Sequence, residues 1–205
     1  MNPVHSHSTW AYSETMSHAA ADLPRRHRLT VADYYRMAEV GILAPDARVE
    51  LIDGDIIDMA PPGSLHAATV DRLNDALARA VDDRASVRVQ NPVRLSELSE
   101  PQPDLALLRR REDFYSEHHP RSADVLLIIE VADTSLRFDR DTKVSLYALH
   151  GIPEVWLVDL RGRRLVRHRT PQQGSYTLVD EPDLSAELEV SALSGVAVDL
   201  HRLFG

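Results

Sequence analysis

The chain has 205 residues, 43% of them hydrophobic and none of them cysteine, and a formal net charge of −9. That length supports one domain with a substantial core, and the missing cysteines exclude disulfides, thiolate zinc sites and a cysteine nucleophile. The acidic balance argues against broad electrostatic attraction to nucleic acid; Arg109–Arg111 and the cluster over 161–169 are candidate local basic patches, although such charge runs usually form solvated faces. No apolar run approaches the ~20 residues that span a bilayer and no apolar signal core opens the chain, so the expected compartment is the cytoplasm and no membrane partner is expected.

Residues 1–27 contain His5, His7, His18 and His27 without regular ligand spacing and read as a poorly ordered arm. A folded region is expected over 28–205. Thr30 is placed to cap a helix over 31–42, with Asp33 in its first turn and Gly41 near its end. Residues 48–59 read as a β-hairpin about the turn Asp53-Gly54. Pro61-Pro62-Gly63-Ser64 breaks the chain before a helix over 65–82, whose apolar stripe is Val70, Leu73, Leu77 and Val81. Strands are expected over 86–95, 104–109, 125–131 and 154–159. A helix over 138–150, stopped by Gly151 and Pro153, crosses between the last two. That strand–helix–strand passage requires a parallel pair, while the hairpins add antiparallel strands, so the class is α/β with a mixed sheet. An edge hairpin over 164–179, strands near 188–190 and 196–198, and a short terminal helix complete the reading.

Chemistry concentrates at strand ends. The run Leu126–Val131 is apolar on both faces, as in a sheet covered on both sides, yet it contains Glu130. A carboxylate there needs a cation or a dense set of donors. Asp104 opens the neighbouring apolar run, and Lys143 follows on the next helix. Two acids and a lysine around a sheet are the minimum kit for a divalent metal and a phosphodiester. Each has a plain alternative: a strand-start acid for Asp104, a buried ion pair for Glu130, a solvent-facing helix residue for Lys143.

Pro103-Asp104 followed by Glu130 resembles the Pro-Asp…(Asp/Glu)-X-Lys nuclease superfamily. Further stretches resemble, more narrowly, the Uma2 family of restriction endonucleases, also called DUF820. They are Glu50–Gly54, Glu100–Asp104, Ile129–Ser135, Asp139–Lys143 and Gly151–Asp159. The resemblance implies a restriction-endonuclease-like mixed central sheet flanked by helices, with an added N-terminal helix and hairpin. One position departs from the superfamily pattern, because residue 132 is Ala where a lysine is expected. In the Uma2 family the lysine comes from the following helix, and Lys143 matches that place.

The resemblance further implies a metal-dependent endonuclease using Mg²⁺ or Mn²⁺, both of which prefer oxygen ligands. Asp104, Glu130 and the Val131 carbonyl are the implied metal ligands, with Lys143 assisting the attacking water or the phosphate. Glu50 is a second metal- or water-binding candidate, or else a strand acid paired with Arg48 or another surface cation. His66 is a phosphate donor or general acid–base, or else a capping or packing residue. Gln90 is expected mid-strand, where it can line the site. Asp133, Ser135, Asp139 and Asp141 read as residues favoured by a helix start, with Asp139 or Asp141 available to hold Lys143, and Tyr147 and Trp156 read as core. DNA is expected ahead of RNA as partner, and a second copy pairing through the hairpin over 164–179 would give a homodimer. The competing readings are a non-catalytic module that keeps the fold and a phosphoesterase acting on small nucleotides.

Overall fold

The computed structural model describes residues 26–205; His5, His7 and His18 of the expected arm lie outside the described residues. The chain runs α1 (Val31–Glu39), β1 (Val49–Ile52), β2 (Asp55–Asp58), α2 (Ser64–Val81), β3 (Ala85–Val89), β4 (Leu105–Arg109), β5 (Val125–Ala132), α3 (Leu136–Phe138), a π-helical turn (Asp139–Lys143), α4 (Val144–Leu149), β6 (Glu154–Asp159), β7 (Arg164–Gln172), β8 (Ser175–Asp180), β9 (Leu188–Glu189) and β10 (Ala197–Val198).

The central sheet has six strands in the order β3-β4-β5-β6-β7-β8. Only β5 and β6 pair in parallel, because the helical passage between them carries the chain back across the sheet. Every residue of β5 and β6 is buried, as expected for strands covered on both faces. The period-2 alternation sorts their side chains. Leu105, Leu107, Leu127 and Ile129 pack beneath α2 with Leu73 and Leu77. Ala106, Leu108 and Ile128 face the other way, onto Val144, Tyr147 and Ala148 of the α3–α4 passage. The second face also sets the direction of Glu130, two residues after Ile128. β9 and β10 form a small antiparallel pair whose neighbours Val196, Leu200 and Leu203 close over α2.

Local signals explain most boundaries. The Thr30 side chain accepts the Asp33 N–H at 3.1 Å, and Asp33 accepts the Thr30 N–H at 2.9 Å, a reciprocal capping box that starts α1. Asp53 (φ 50°) and Gly54 (φ 80°) supply the two left-handed residues of the β1–β2 turn. All four stripe residues of α2 are buried. β7–β8 is the edge hairpin, with Leu178 and Val179 exposed on the outermost strand.

Three expectations need correction. The strand expected over 86–95 stops at Val89, because Gln90 turns left-handed (φ 49°), so Gln90 is not mid-strand. The helix expected over 138–150 begins at Leu136 and is interrupted by the π-helical turn. Residues 201–204 form turns in place of a terminal helix, held by Leu203 packing into the core. Among the described residues no helix is long and apolar enough to cross a membrane.

Candidate active site

β4 begins where β5 ends, because the two strands run antiparallel with Leu105 opposite Ile129. One step beyond that pair stand Asp104 and Glu130, on the face that carries Ala106 and Ile128. The hairpin β1–β2 brings Glu50 to the same place, the start of α2 brings His66, and the π-helical turn brings Asp139 and Lys143. These residues line one cleft of about 740 Å³.

Lys143 is the centre of the arrangement. Its Nζ lies 2.9 Å from Glu130 Oε1 and 3.2 Å from Glu50 Oε2, and all three residues are at most 4% exposed. Glu50 therefore pairs with Lys143 and not with Arg48, and it also accepts the Gln102 N–H at 3.0 Å. Glu130 accepts a second hydrogen bond, from the Tyr147 hydroxyl at 2.5 Å. Burial pushes the Glu130 carboxyl up to about 8; Lys143 opposes that shift, while Asp139, Asp104 and Glu50 reinforce it. Burial alone would lower Lys143, but Glu130, Glu50 and Asp139 outweigh it and hold the ammonium charged. Burial raises Asp139 as well as Glu130, so the acids crowded around the single buried ammonium favour the neutral form of Glu130.

Asp104 is held differently. Its Oδ2 accepts the Val131 N–H at 2.9 Å, its Oδ1 accepts the Gln90 side-chain amide at 3.1 Å, and His66 Nε2 stands 3.2 Å away. Burial disfavours its charge, yet His66, the Val131 N–H and Gln90 together keep its pKa below the usual carboxylate range. The hydrogen bond that His66 Nε2 donates to Asp104 raises the His66 pKa against its burial. His66 Nδ1 is buried with no protein partner. Val131 lines the cleft, and the backbone group it directs at Asp104 is its N–H.

Asp104, Glu130, Lys143, Glu50, His66 and Val131 thus share one cleft, and Gln90 reaches it from a left-handed loop position. Asp139 is more than a helix-start acid: it is 5% exposed, lines the cleft and accepts the Ser135 hydroxyl at 2.5 Å. Asp141 instead pairs with Arg140, 2.7 Å away at the surface. Tyr147 is core, as expected, and also a donor to the site. A signal for both residues was present, since positions 139, 143 and 147 recur every fourth residue and so share a helix face.

The donor set suits a hard divalent cation, because carboxylate oxygens at adjacent strand ends face one cleft and carry surplus negative charge. Among the described residues no group of three or more His, Asp or Glu side chains is already gathered tightly enough to cage an ion. The Lys143 ammonium stands between Glu50 and Glu130, and Asp104 is turned to His66, Gln90 and Val131.

A search of functionally curated proteins found no match. Among solved structures, the chain is similar to a protein whose crystal structure is titled a putative nuclease belonging to DUF820, from Anabaena variabilis ATCC 29413. The identity is 18% and the TM-score 0.63, with 86% of this chain and 97% of that one covered, a likeness of fold. The Uma2 family model, described as "Putative restriction endonuclease", matches residues 31–201. That match takes in both strand-end acids, the π-helical turn and the hairpin that carries Glu50, and the chain belongs to the Uma2 family.

Proposed function

We propose that this protein is a metal-dependent endonuclease that hydrolyses phosphodiester bonds, with DNA as substrate and Mg²⁺ or Mn²⁺ as cofactor. The observation that carries the reading is the convergence of Asp104, Glu130, Glu50 and Lys143 on one cleft from four separate elements. A core needs no such meeting of buried charges, since an apolar cluster of the same shape is at least as stable. The family's description points the same way.

In this reading Asp104 and Glu130 hold the ion, with the Val131 carbonyl as a neutral ligand and Glu50 as a further carboxylate. When bound, a divalent cation supplies Lewis acidity toward a phosphoryl oxygen and toward water. A cation held there would favour the charged form of Glu130, which the Tyr147 hydroxyl and the Lys143 ammonium are placed to stabilise. Lys143 keeps its ammonium charged, and the one donor not taken by Glu50 and Glu130 serves the attacking water or the charge that builds on the phosphate. His66, oriented through Nε2 by Asp104, lines the cleft as the candidate general acid or base. Gln90 and the Val131 N–H keep Asp104 ionised and fixed in direction. The homodimer built through the β7–β8 edge remains part of the proposal, as the way such a nuclease cuts both strands.

The test is a cleavage assay on single-stranded DNA, double-stranded DNA and RNA with Mg²⁺, Mn²⁺ or EDTA, comparing wild type with Glu130→Gln. Metal-dependent cutting that drops by roughly 10²-fold or more in the variant is expected. Cutting that survives the substitution would remove Glu130 from the site. A folded wild type that cuts nothing would favour the non-catalytic module.

A further inference from the structure

The cations of the cleft are not equivalent. Lys143 is committed to Glu50 and Glu130, and His66 to Asp104. Arg48 lines the same cleft, is exposed, and among the described residues forms neither an ion pair nor a side-chain hydrogen bond. Its backbone is fixed nonetheless, since its carbonyl accepts the Met59 N–H at 2.8 Å across the hairpin. The hairpin thus presents, on a rigid base, a guanidinium that no described residue engages. Arg48 is close enough to the cleft floor to act electrostatically on His66. Meanwhile the floor itself, with Glu50, Asp104, Glu130 and Asp139, repels a phosphodiester.

We propose that Arg48 is the substrate-anchoring residue of this cleft: its guanidinium takes a backbone phosphate of the bound strand and holds the strand over the acidic floor. The inference rests on the nuclease reading above. Guanidinium suits the task because its planar donors engage phosphate oxygens in pairs and its charge does not titrate. A phosphate contact positions the strand without reading bases, so the anchor serves any sequence.

The test is steady-state cleavage of a labelled DNA oligonucleotide in Mg²⁺ over a salt series, with wild type, Arg48→Ala, Arg48→Lys and Glu130→Gln. For Arg48→Ala, KM is expected to rise about tenfold with a much smaller change in kcat, and the salt slope of log kcat/KM to flatten by about one. Arg48→Lys should restore the slope but only part of the KM. Glu130→Gln should instead lose kcat. Because Arg48 is exposed and unpaired among the described residues, the thermal midpoint of Arg48→Ala should match wild type, and this checks that the variant is folded. An Arg48→Ala enzyme with unchanged KM and slope, beside an active wild type, overturns the anchor and leaves the nuclease reading intact. A loss confined to kcat overturns it too, by placing Arg48 in the chemistry. A wild type that cuts no DNA overturns both.

Discussion

At 3% exposure, Glu130 cannot rely on water, so its charge state is set by what touches it. Its pKa in the folded chain, about 8, lies above the ordinary 4.5, with burial as the main cause. The native state therefore keeps a proton that the unfolded chain releases. Stability from this group is complete below about pH 4.5 and is lost as pH rises through about 8. Without divalent ions, the thermal midpoint of wild type should fall from about pH 5 to about pH 8.5 more steeply than that of Glu130→Gln, which has no proton to lose. His66 shifts in the same sense, but it is present in both proteins and cancels in the comparison. Parallel curves would show that Glu130 is ionised across the whole range. At this scale the sequence was legible where an acid opens an apolar strand, as Asp104 does, or interrupts one, as Glu130 does. The role proposed for Arg48 was not legible, because it turns on Arg48 having no partner among the described residues, and pairing is settled only by the fold.

Among elements, the hairpin β1–β2 depends most on a single residue. Gly54 has φ 80°, and a Cβ there would stand 2.5 Å from Arg28 Cβ. Its N–H donates to Leu98 O at 2.7 Å and its carbonyl accepts the Leu29 N–H at 3.0 Å, so the turn is clamped from two sides. Gly54→Ala should cost roughly 1–3 kcal/mol, from left-handed strain and the lost clamp together. Chemical denaturation reads the cost directly. Because the hairpin carries both Glu50 and Arg48, cleavage should weaken in the same variant even where it remains folded. Unchanged stability would mean that Arg28 moves aside freely. The hairpin was readable from Asp-Gly, as were the capping box of α1 and the stripe of α2, because each is a local rule acting on adjacent residues. The π-helical turn and the left-handed Gln90 were not readable. Both serve distant partners, one bringing Lys143 to Glu50 and Glu130, the other bringing an amide to Asp104. No local preference encodes that demand.

For the whole molecule, the difficulty is a net charge of −9 on a protein read as acting on a polyanion. The basic clusters visible in the sequence do not resolve it. Arg111 pairs with Asp113, Arg161 with Asp133, Arg164 with Asp159, and Arg167 and Arg169 with Asp180, so most of that positive charge is spent internally. Composition showed the surplus of acid, but only the fold shows that acids also crowd the cleft while Arg48 is its one uncommitted cation among the described residues. If the proposed activity holds, attraction to DNA is expected to come from divalent ions taken up by the carboxylates, with Arg48 adding one contact. Binding of a labelled duplex, followed by fluorescence anisotropy at about 0.1 M salt, should accordingly be weaker in EDTA than in millimolar Mg²⁺ by about tenfold or more. The Mg²⁺ gain should shrink in Asp104→Asn, which keeps the shape of the side chain and removes its charge. Equal binding with and without the ion would move the DNA surface out of this cleft and onto another face. Binding that needs Mg²⁺ but ignores Asp104→Asn would keep the cleft and remove Asp104 from the ion.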